Sequence, residues 1–279
     1  MRLAGLRLAT VLALSASGAA MAQQAIPDGD WRTINRDLAA TRFSPLADIN
    51  RANVAQLKEA WSYPFRSFNT AVPLVIEGTM YFPAGNRVVA LDADSGQEKW
   101  VYTIPNNGEQ QRNASTPGVG YWPGGAGTPA RILVMAGTVM VALDAATGQP
   151  SAGFGQGGMI DVGVSYGGTP TIAGDIAVIG AATLENPQGV PGNPRAFDVR
   201  TGRKIWEFQT VPQPGERFNE TWGNGWKERS GTNMWAFGAP VDLQRGIVIL
   251  PIAGPSHNYY GGDRPGANLF GNSLVAVDL

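Results

Sequence analysis

One hairpin signature returns along this chain and restricts its fold more than any other feature. Val88-Val89-Ala90-Leu91-Asp92 runs through Ser95-Gly96 to Trp100, and Met140-Val141-Ala142-Leu143-Asp144 through Thr147-Gly148 to Phe154. Arg195-Ala196-Phe197-Asp198 runs through Thr201-Gly202 to Trp206, and a fourth copy, Leu274-Val275-Ala276-Val277-Asp278, begins before Leu279. Each residue type has a geometric reason. The apolar run is a strand, the Asp accepts hydrogen bonds from the turn backbone, and the Gly supplies a positive φ. The aromatic opens the returning strand with something large to bury. Asp92, Asp144 and Asp198 are 52 and 54 residues apart, a length that fits one four-stranded unit with its loops, whereas Asp198 to Asp278 is 80 and predicts an insertion. Another pair of strands is predicted ahead of the hairpins, at 71–76 with 79–83, 169–173 with 175–180, and 238–243 with 246–251. Four antiparallel strands per unit, repeated radially, make the blade of a β-propeller, so the expectation is an all-β chain of about four blades. Residues 31–61 differ in texture, with a short helix or turn at 50–57 leading to a strand around Trp61; they read as an N-terminal arm and the start of the first blade.

Composition agrees. Gly (37) and Pro (20) are abundant while charged residues make up only 15%, a balance that suits short strands joined by tight turns. Arg2 and Arg7, an apolar run over 8–16 and the small residues Ala20-Met21-Ala22 have the layout of a secretory leader. Residues 1–22 are therefore expected to be a signal peptide and 23–279 the propeller domain, in the periplasm, with association with the inner membrane left open. An uncleaved anchor is the alternative, although the run is shorter than the roughly 20 residues that span a bilayer. There is no cysteine, which excludes a c-type haem site, a thiolate-held iron–sulfur cluster and a lipid-modified cysteine. The net charge of −1, with Lys and Arg scattered singly, argues against a nucleic-acid partner and for small molecules. Gly155-Gln156-Gly157-Gly158 lacks the following helix and acidic residue of a nicotinamide-binding turn, so redox chemistry would need another borrowed cofactor.

The Ala-Leu-Asp-x-x-Ser/Thr-Gly hairpins resemble the tryptophan-docking repeats of the pyrroloquinoline quinone dehydrogenases. So do Asp30-Trp31 to Phe43-Ser44-Pro45-Leu46, Gly118-Val119-Gly120-Tyr121-Trp122-Pro123-Gly124, and Gly261-Gly262-Asp263-Arg264-Pro265-Gly266 leading to Asn272-Ser273-Leu274. The likeness covers nearly all of 23–279 and leans to the membrane-bound glucose dehydrogenases. It implies an eight-bladed ring, of which this chain is the N-terminal part. It also implies hydride transfer from an alcohol or sugar hydroxyl to pyrroloquinoline quinone, with a calcium ion polarising the quinone and a carboxylate taking the proton. The electron acceptor would be a quinone or a cytochrome. The resemblance places the catalytic aspartate beyond Leu279, leaving the chain inactive by itself.

Site residues carry over one at a time. Glu185, after the predicted strand at 175–180, stands where relatives place the metal-binding carboxylate; otherwise it is a solvated loop glutamate. Trp235, in Gly231-Thr232-Asn233-Met234-Trp235, matches the tryptophan beneath the cofactor; otherwise it is a core aromatic, as Trp100 and Trp206 are expected to be. Trp222 and Trp226 lie in the long interval and rank below it. Thr169 is a further cofactor-binding candidate. Two positions depart from the family pattern. Gly254, in Ala253-Gly254-Pro255-Ser256, offers no side-chain oxygen where many relatives carry a metal-site asparagine. Pro117 replaces an arginine that pairs with a cofactor carboxylate, and Arg112, five residues upstream, substitutes for it only if the loop bends back. His257 reads as an exposed loop residue, since one histidine builds no triad. Arg264 reads as a loop-fixing ion-pair partner, a carboxylate clamp being the other possibility. The rival from another class is a non-catalytic propeller scaffold of the cell envelope.

Overall fold

The computed structural model describes residues 25–65, 67, 69–183, 186 and 188–279. The leader proposed at 1–22 lies outside them, as does Glu185. Among the described residues fifteen strands form four antiparallel sheets in chain order. The first holds β1 (Leu74–Ile76), β2 (Thr79–Ala84), β3 (Arg87–Asp92) and β4 (Glu98–Thr103). The second holds β5 (Gly120–Trp122), β6 (Arg131–Ala136), β7 (Val139–Asp144) and β8 (Met159–Asp161). The third holds β9 (Thr171–Ala173), β10 (Ile176–Ile179), β11 (Arg195–Asp198) and β12 (Lys204–Glu207). The fourth has three strands, β13 (Val241–Asp242), β14 (Ile247–Ile252) and β15 (Ser273–Asp278). Each is a meander with sequence neighbours paired, as a propeller blade requires.

The innermost strands converge. β5 touches β9, and residues 31–38 run across the blades from β1 to β13, with Trp31 bridging Val75 and the Leu38 carbonyl accepting from the Val241 amide at 2.7 Å. Both faces of the middle blades are covered, so β6 and β7 are buried almost throughout. One apolar cluster fills the space between the first two blades and a larger one the space among the second, third and fourth. This accounts for the apolar run at 132–143: strands sandwiched on both faces lose the polar alternation of a half-exposed sheet. Among the described residues no helix is long and apolar enough to cross a membrane.

The turns form as their chemistry dictates. Asp92 Oδ1 accepts from the Ser95 amide and hydroxyl, Asp144 Oδ1 from Thr147, and Asp198 Oδ1 from Thr201, all at 2.8–3.0 Å. The turn glycines Gly96, Gly148 and Gly202 have φ of 70°, 69° and 76°. In every case the carbonyl following the Asp takes a hydrogen bond from elsewhere. Trp61 Nε1 donates to Ala93 O at 3.1 Å, and Trp100 Nε1, from the first blade, to Ala145 O in the second at 3.0 Å. At the third turn the donor is not an indole: Arg131 Nη1 reaches Val199 O at 2.6 Å and Arg200 O at 2.7 Å, while its Nη2 reaches Ala152 O at 2.8 Å. Arg131 is buried and lies 5.7 Å from the Trp122 ring and 5.8 Å from the Phe154 ring.

Two sequence expectations are corrected. Phe154 does not open the returning strand of its blade; it is fully buried ahead of β8, which starts only at Met159. Trp61 lies in irregular chain rather than a strand, preceded by a single 3₁₀ turn at Val54–Gln56. Docking on Gly96 fixes Trp61 without a ladder of its own.

Candidate functional site

The long interval between Asp198 and Asp278 folds over one end of the blades and walls a cavity of about 430 Å³, within the usual range for small-ligand sites. Its lining comes from four stretches: Tyr166 to Gly168 ahead of β9, Ala181 and Ala182 after β10, Gly231 to Ala236, and the loop from Ala253 to Asn272 between β14 and β15.

Trp235 is the aromatic of this cavity. Its amide donates to Pro251 O at 3.1 Å and its carbonyl accepts from Tyr166 Oη at 3.3 Å, so the backbone is held on both sides. Its side chain stays 60% exposed, unusual for an indole with so firm an anchor. Tyr166 beneath it is fully buried, and burial pushes its phenol well above the ordinary tyrosine range, leaving it a neutral donor at all working pH. Large side chains at 168 and 180 are shut out, since a Cβ on Gly168 would sit 2.2 Å from the Tyr166 ring and one on Gly180 2.7 Å from Met234 Cβ.

The polar side chains of the described lining are the carboxamides of Asn233, Asn258 and Asn272, the Arg264 guanidinium and the hydroxyls of Tyr166 and Ser256. Asn233 Oδ1 accepts from Thr183 N at 3.1 Å and Thr183 Oγ1 at 3.0 Å, and Ser230 Oγ bonds Asn186 O. The residues flanking Glu185 are thus tied to the strip that carries Trp235. Asn258 and Asn272 line the cavity beside Gly254. Arg264 reads differently from the sequence expectation. It fixes its loop, but through neutral acceptors, Asn268 Oδ1 at 2.7 Å and His257 O at 3.0 Å, with no ion-pair partner among the described residues. Its Nε is buried without an acceptor. The ion pair of this loop belongs instead to the neighbouring buried Arg229, which binds Asp263 at 2.8 Å and also donates to Ser256 O. The Arg229 hydrogen bond and charge hold the Asp263 carboxyl below the usual aspartate range.

The remaining candidates lie elsewhere. Thr169 is buried beside the cavity; its amide bonds Ala236 O at 3.1 Å, but its side chain faces a small cleft under the N-terminal arm, and its Oγ1 has no partner. Arg112 is not on the cavity lining; its closest acceptor is Pro105 O at 3.5 Å. His257 is exposed, and Trp222 is buried with its Nε1 on Leu269 O. Tyr166, Asn258 and Asn272 were missed by sequence reasoning. Only Asn272 carried a local signal, as the polar residue opening the fourth copy of the repeat strand.

The residues fit a flat, carboxylated aromatic ligand: an exposed indole to stack on, a guanidinium hydrogen-bonded to neutral acceptors, and walls of Gly and Ala. They also offer hard amide oxygens suited to a calcium-like cation. The carboxylate such a cation needs is absent from the described lining, and no cluster of three His, Cys, Asp or Glu occurs among the described residues.

Residues 31–279 match the family model of the glucose/ethanol/alcohol dehydrogenase β-propeller domain. The chain is 29% identical to the quinate/shikimate dehydrogenase (quinone) of Acinetobacter baylyi, the match covering 89% of this chain and 36% of that protein. It is 27% identical to the quinoprotein glucose dehydrogenase of Escherichia coli, over 91% of this chain and 36% of that protein. Among solved structures, the quinohemoprotein alcohol dehydrogenase of Comamonas testosteroni superposes with a TM-score of 0.76 at 29% identity, over 89% of this chain and 39% of that one. The chain thus spans little more than a third of the length of the relatives it matches.

Proposed function

Because this chain belongs to the glucose/ethanol/alcohol dehydrogenase β-propeller family, we propose that its cavity cradles pyrroloquinoline quinone for the oxidation of CH–OH groups of alcohols or sugars. The observation that carries the reading is Trp235: an indole with an anchored backbone and an open face, in a cavity whose described lining also holds the Arg264 guanidinium, bonded to the neutral acceptors Asn268 Oδ1 and His257 O. When bound, the quinone supplies the acceptor for the hydride leaving the carbinol carbon, and a calcium ion beside it supplies Lewis-acid polarisation.

Trp235 provides the stacking surface and Tyr166 fixes its carbonyl from below. Arg264 attracts ligand carboxylates while its loop contacts keep the guanidinium in place. Glu185, whose sequence neighbours Thr183 and Asn186 are tied to Asn233 and Ser230, is the proposed metal carboxylate. Thr169 is proposed to support the cofactor through its bond to Ala236 rather than by direct contact. Arg112 has no part in this cavity as folded. Export to the periplasm, with a quinone or cytochrome taking the electrons, completes the reading.

The test is titration of the quinone into the chain with and without calcium, following tryptophan emission. Saturable quenching that calcium strengthens and Trp235→Ala removes is expected; quenching unaffected by both would refute the assignment. Because no carboxylate lines the described cavity to take the hydroxyl proton, no dye reduction is expected from this chain with glucose or ethanol.

A further inference from the structure

The strip that carries Trp235 contains a residue in an unfavourable conformation. Residues 230–235 run antiparallel beside 251–256 in one unbroken register: the Ser256 amide donates to Ser230 O, the Thr232 amide to Gly254 O, the Ala253 amide to Asn233 O and the Trp235 amide to Pro251 O. Inside that run Gly231 and Thr232 have φ of 85° and 52°. Glycine adopts such an angle freely, whereas a β-branched threonine does so at a cost and only where its surroundings hold it. Like a bulge, the left-handed pair re-aims the side chains that follow. Asn233 and Trp235 line the cavity, and Met234 between them joins the larger core cluster.

What holds Thr232 is a buried polar chain that leads away from the cavity. Thr232 is fully buried and does not line the cavity, so its hydroxyl has no access to a ligand. Its Oγ1 shares a hydrogen bond with Oγ1 of the equally buried Thr210 at 2.7 Å. The Thr210 amide donates to Asn193 Oδ1 at 3.0 Å, and Asn193 Nδ2 donates to Glu207 Oε1 at 3.0 Å and Gln209 Oε1 at 2.7 Å. The Asn193 carbonyl accepts from Arg195 Nη1 at 2.9 Å. Arg195 opens β11 and Glu207 closes β12, so the strained turn is tied to the third blade.

We propose that Thr232 is a positioning residue for Trp235: its hydroxyl bond to Thr210 fixes the left-handed turn that aims the indole at the cavity. The consequence for ligand binding rests on the reading of the cavity as a quinone site. Pro251 and Tyr166 fix where the Trp235 backbone lies, and the turn at 232 fixes how the strip reaches it. Without the hydroxyl bond the turn relaxes, the competent strip is populated only in part, and apparent affinity falls by that fraction.

The experiment labels the full chain with 5-fluorotryptophan and follows its eight tryptophan resonances by fluorine NMR, that of Trp235 being identified by its loss in Trp235→Ala. Thr210→Val and Thr232→Val keep the shape and remove one hydroxyl each, whereas Thr210→Ser and Thr232→Ser keep the hydroxyl. In both Val variants the Trp235 resonance should shift or broaden while those of Trp31, Trp61 and Trp100 stay in place. Pyrroloquinoline quinone, titrated by emission quenching, should bind them roughly tenfold more weakly, the equivalent of one buried hydrogen bond. The Ser variants should match the wild type in both measurements. An unmoved Trp235 resonance in both Val variants would overturn the inference. So would a shift of all eight resonances alike, which marks Thr232 as a packing residue only. Wild-type protein that binds no quinone, with the Trp235 resonance still moved by the Val variants, would overturn the cofactor reading and leave the positioning role standing.

Discussion

Replacing Gly148 with alanine tests whether the blades are locked by indoles seated on the turns of their neighbours. Gly148 has a φ of 69°, and an added Cβ would stand 2.5 Å from Trp100 Cδ2 and 2.6 Å from Cε3. Gly137, in the turn between β6 and β7, has a similar φ of 65° with nothing within 4 Å of its Cβ position. Both substitutions carry the left-handed strain of a non-glycine residue, about 1–2 kcal/mol. Only Gly148→Ala must also push out the Trp100 ring. That overpacks the contact, at about 1–3 kcal/mol, and breaks the 3.0 Å bond from Trp100 Nε1 to Ala145 O, at about 1 kcal/mol more. The excess of Gly148→Ala over Gly137→Ala is therefore about 2–4 kcal/mol, roughly 5–15 °C in melting temperature for a domain of this size. Thermal and urea unfolding followed by tryptophan emission read it directly. In a Trp100→Ala background the excess should vanish, since the two residues then no longer couple. Equal melting temperatures for Gly148→Ala and Gly137→Ala in the wild-type background would refute the docking argument.

Three further outcomes follow from the same geometry. Arg131→Met should destabilise by about 3 kcal/mol or more in urea unfolding, because the Val199, Arg200 and Ala152 carbonyls lose their donor together, and Arg131→Lys should recover only part. Trp235→Ala should leave the melting temperature nearly unchanged, its side chain being mostly exposed, while abolishing quinone binding in the fluorescence titration. Acid should destabilise the fold in a defined window. The Ser95 hydroxyl holds Asp92, and Arg229 holds Asp263, below the ordinary aspartate value of about 3.9. The unfolded chain then binds protons first, so this stability is complete above about pH 5 and is lost as pH falls through the lower folded values. The urea midpoint should be flat from about pH 5 to 7 and drop below about pH 4, with a shallower drop in Asp92→Asn, whose amide oxygen can still accept from the turn.

The hairpins were legible from residue types alone because their bonds are local: Asp92 reaches Ser95, Asp144 reaches Thr147 and Asp198 reaches Thr201, each three residues on. A bond that short depends on the backbone of one turn and little else, so its signature survives in any context. The order of strands within a blade followed for the same reason, since every ladder joins sequence neighbours. Tertiary structure decided what crosses between blades. Nothing near Arg131 announces that it takes the place of an indole at Val199, 68 residues away, because the requirement there is a donor reaching one carbonyl, and either side chain meets it. The cavity is of the same kind. Trp235 was singled out by likeness, but its open face depends on Pro251 and Tyr166 holding its backbone. Short-range hydrogen bonds wrote the blades into the sequence; the site arises where distant loops meet over them.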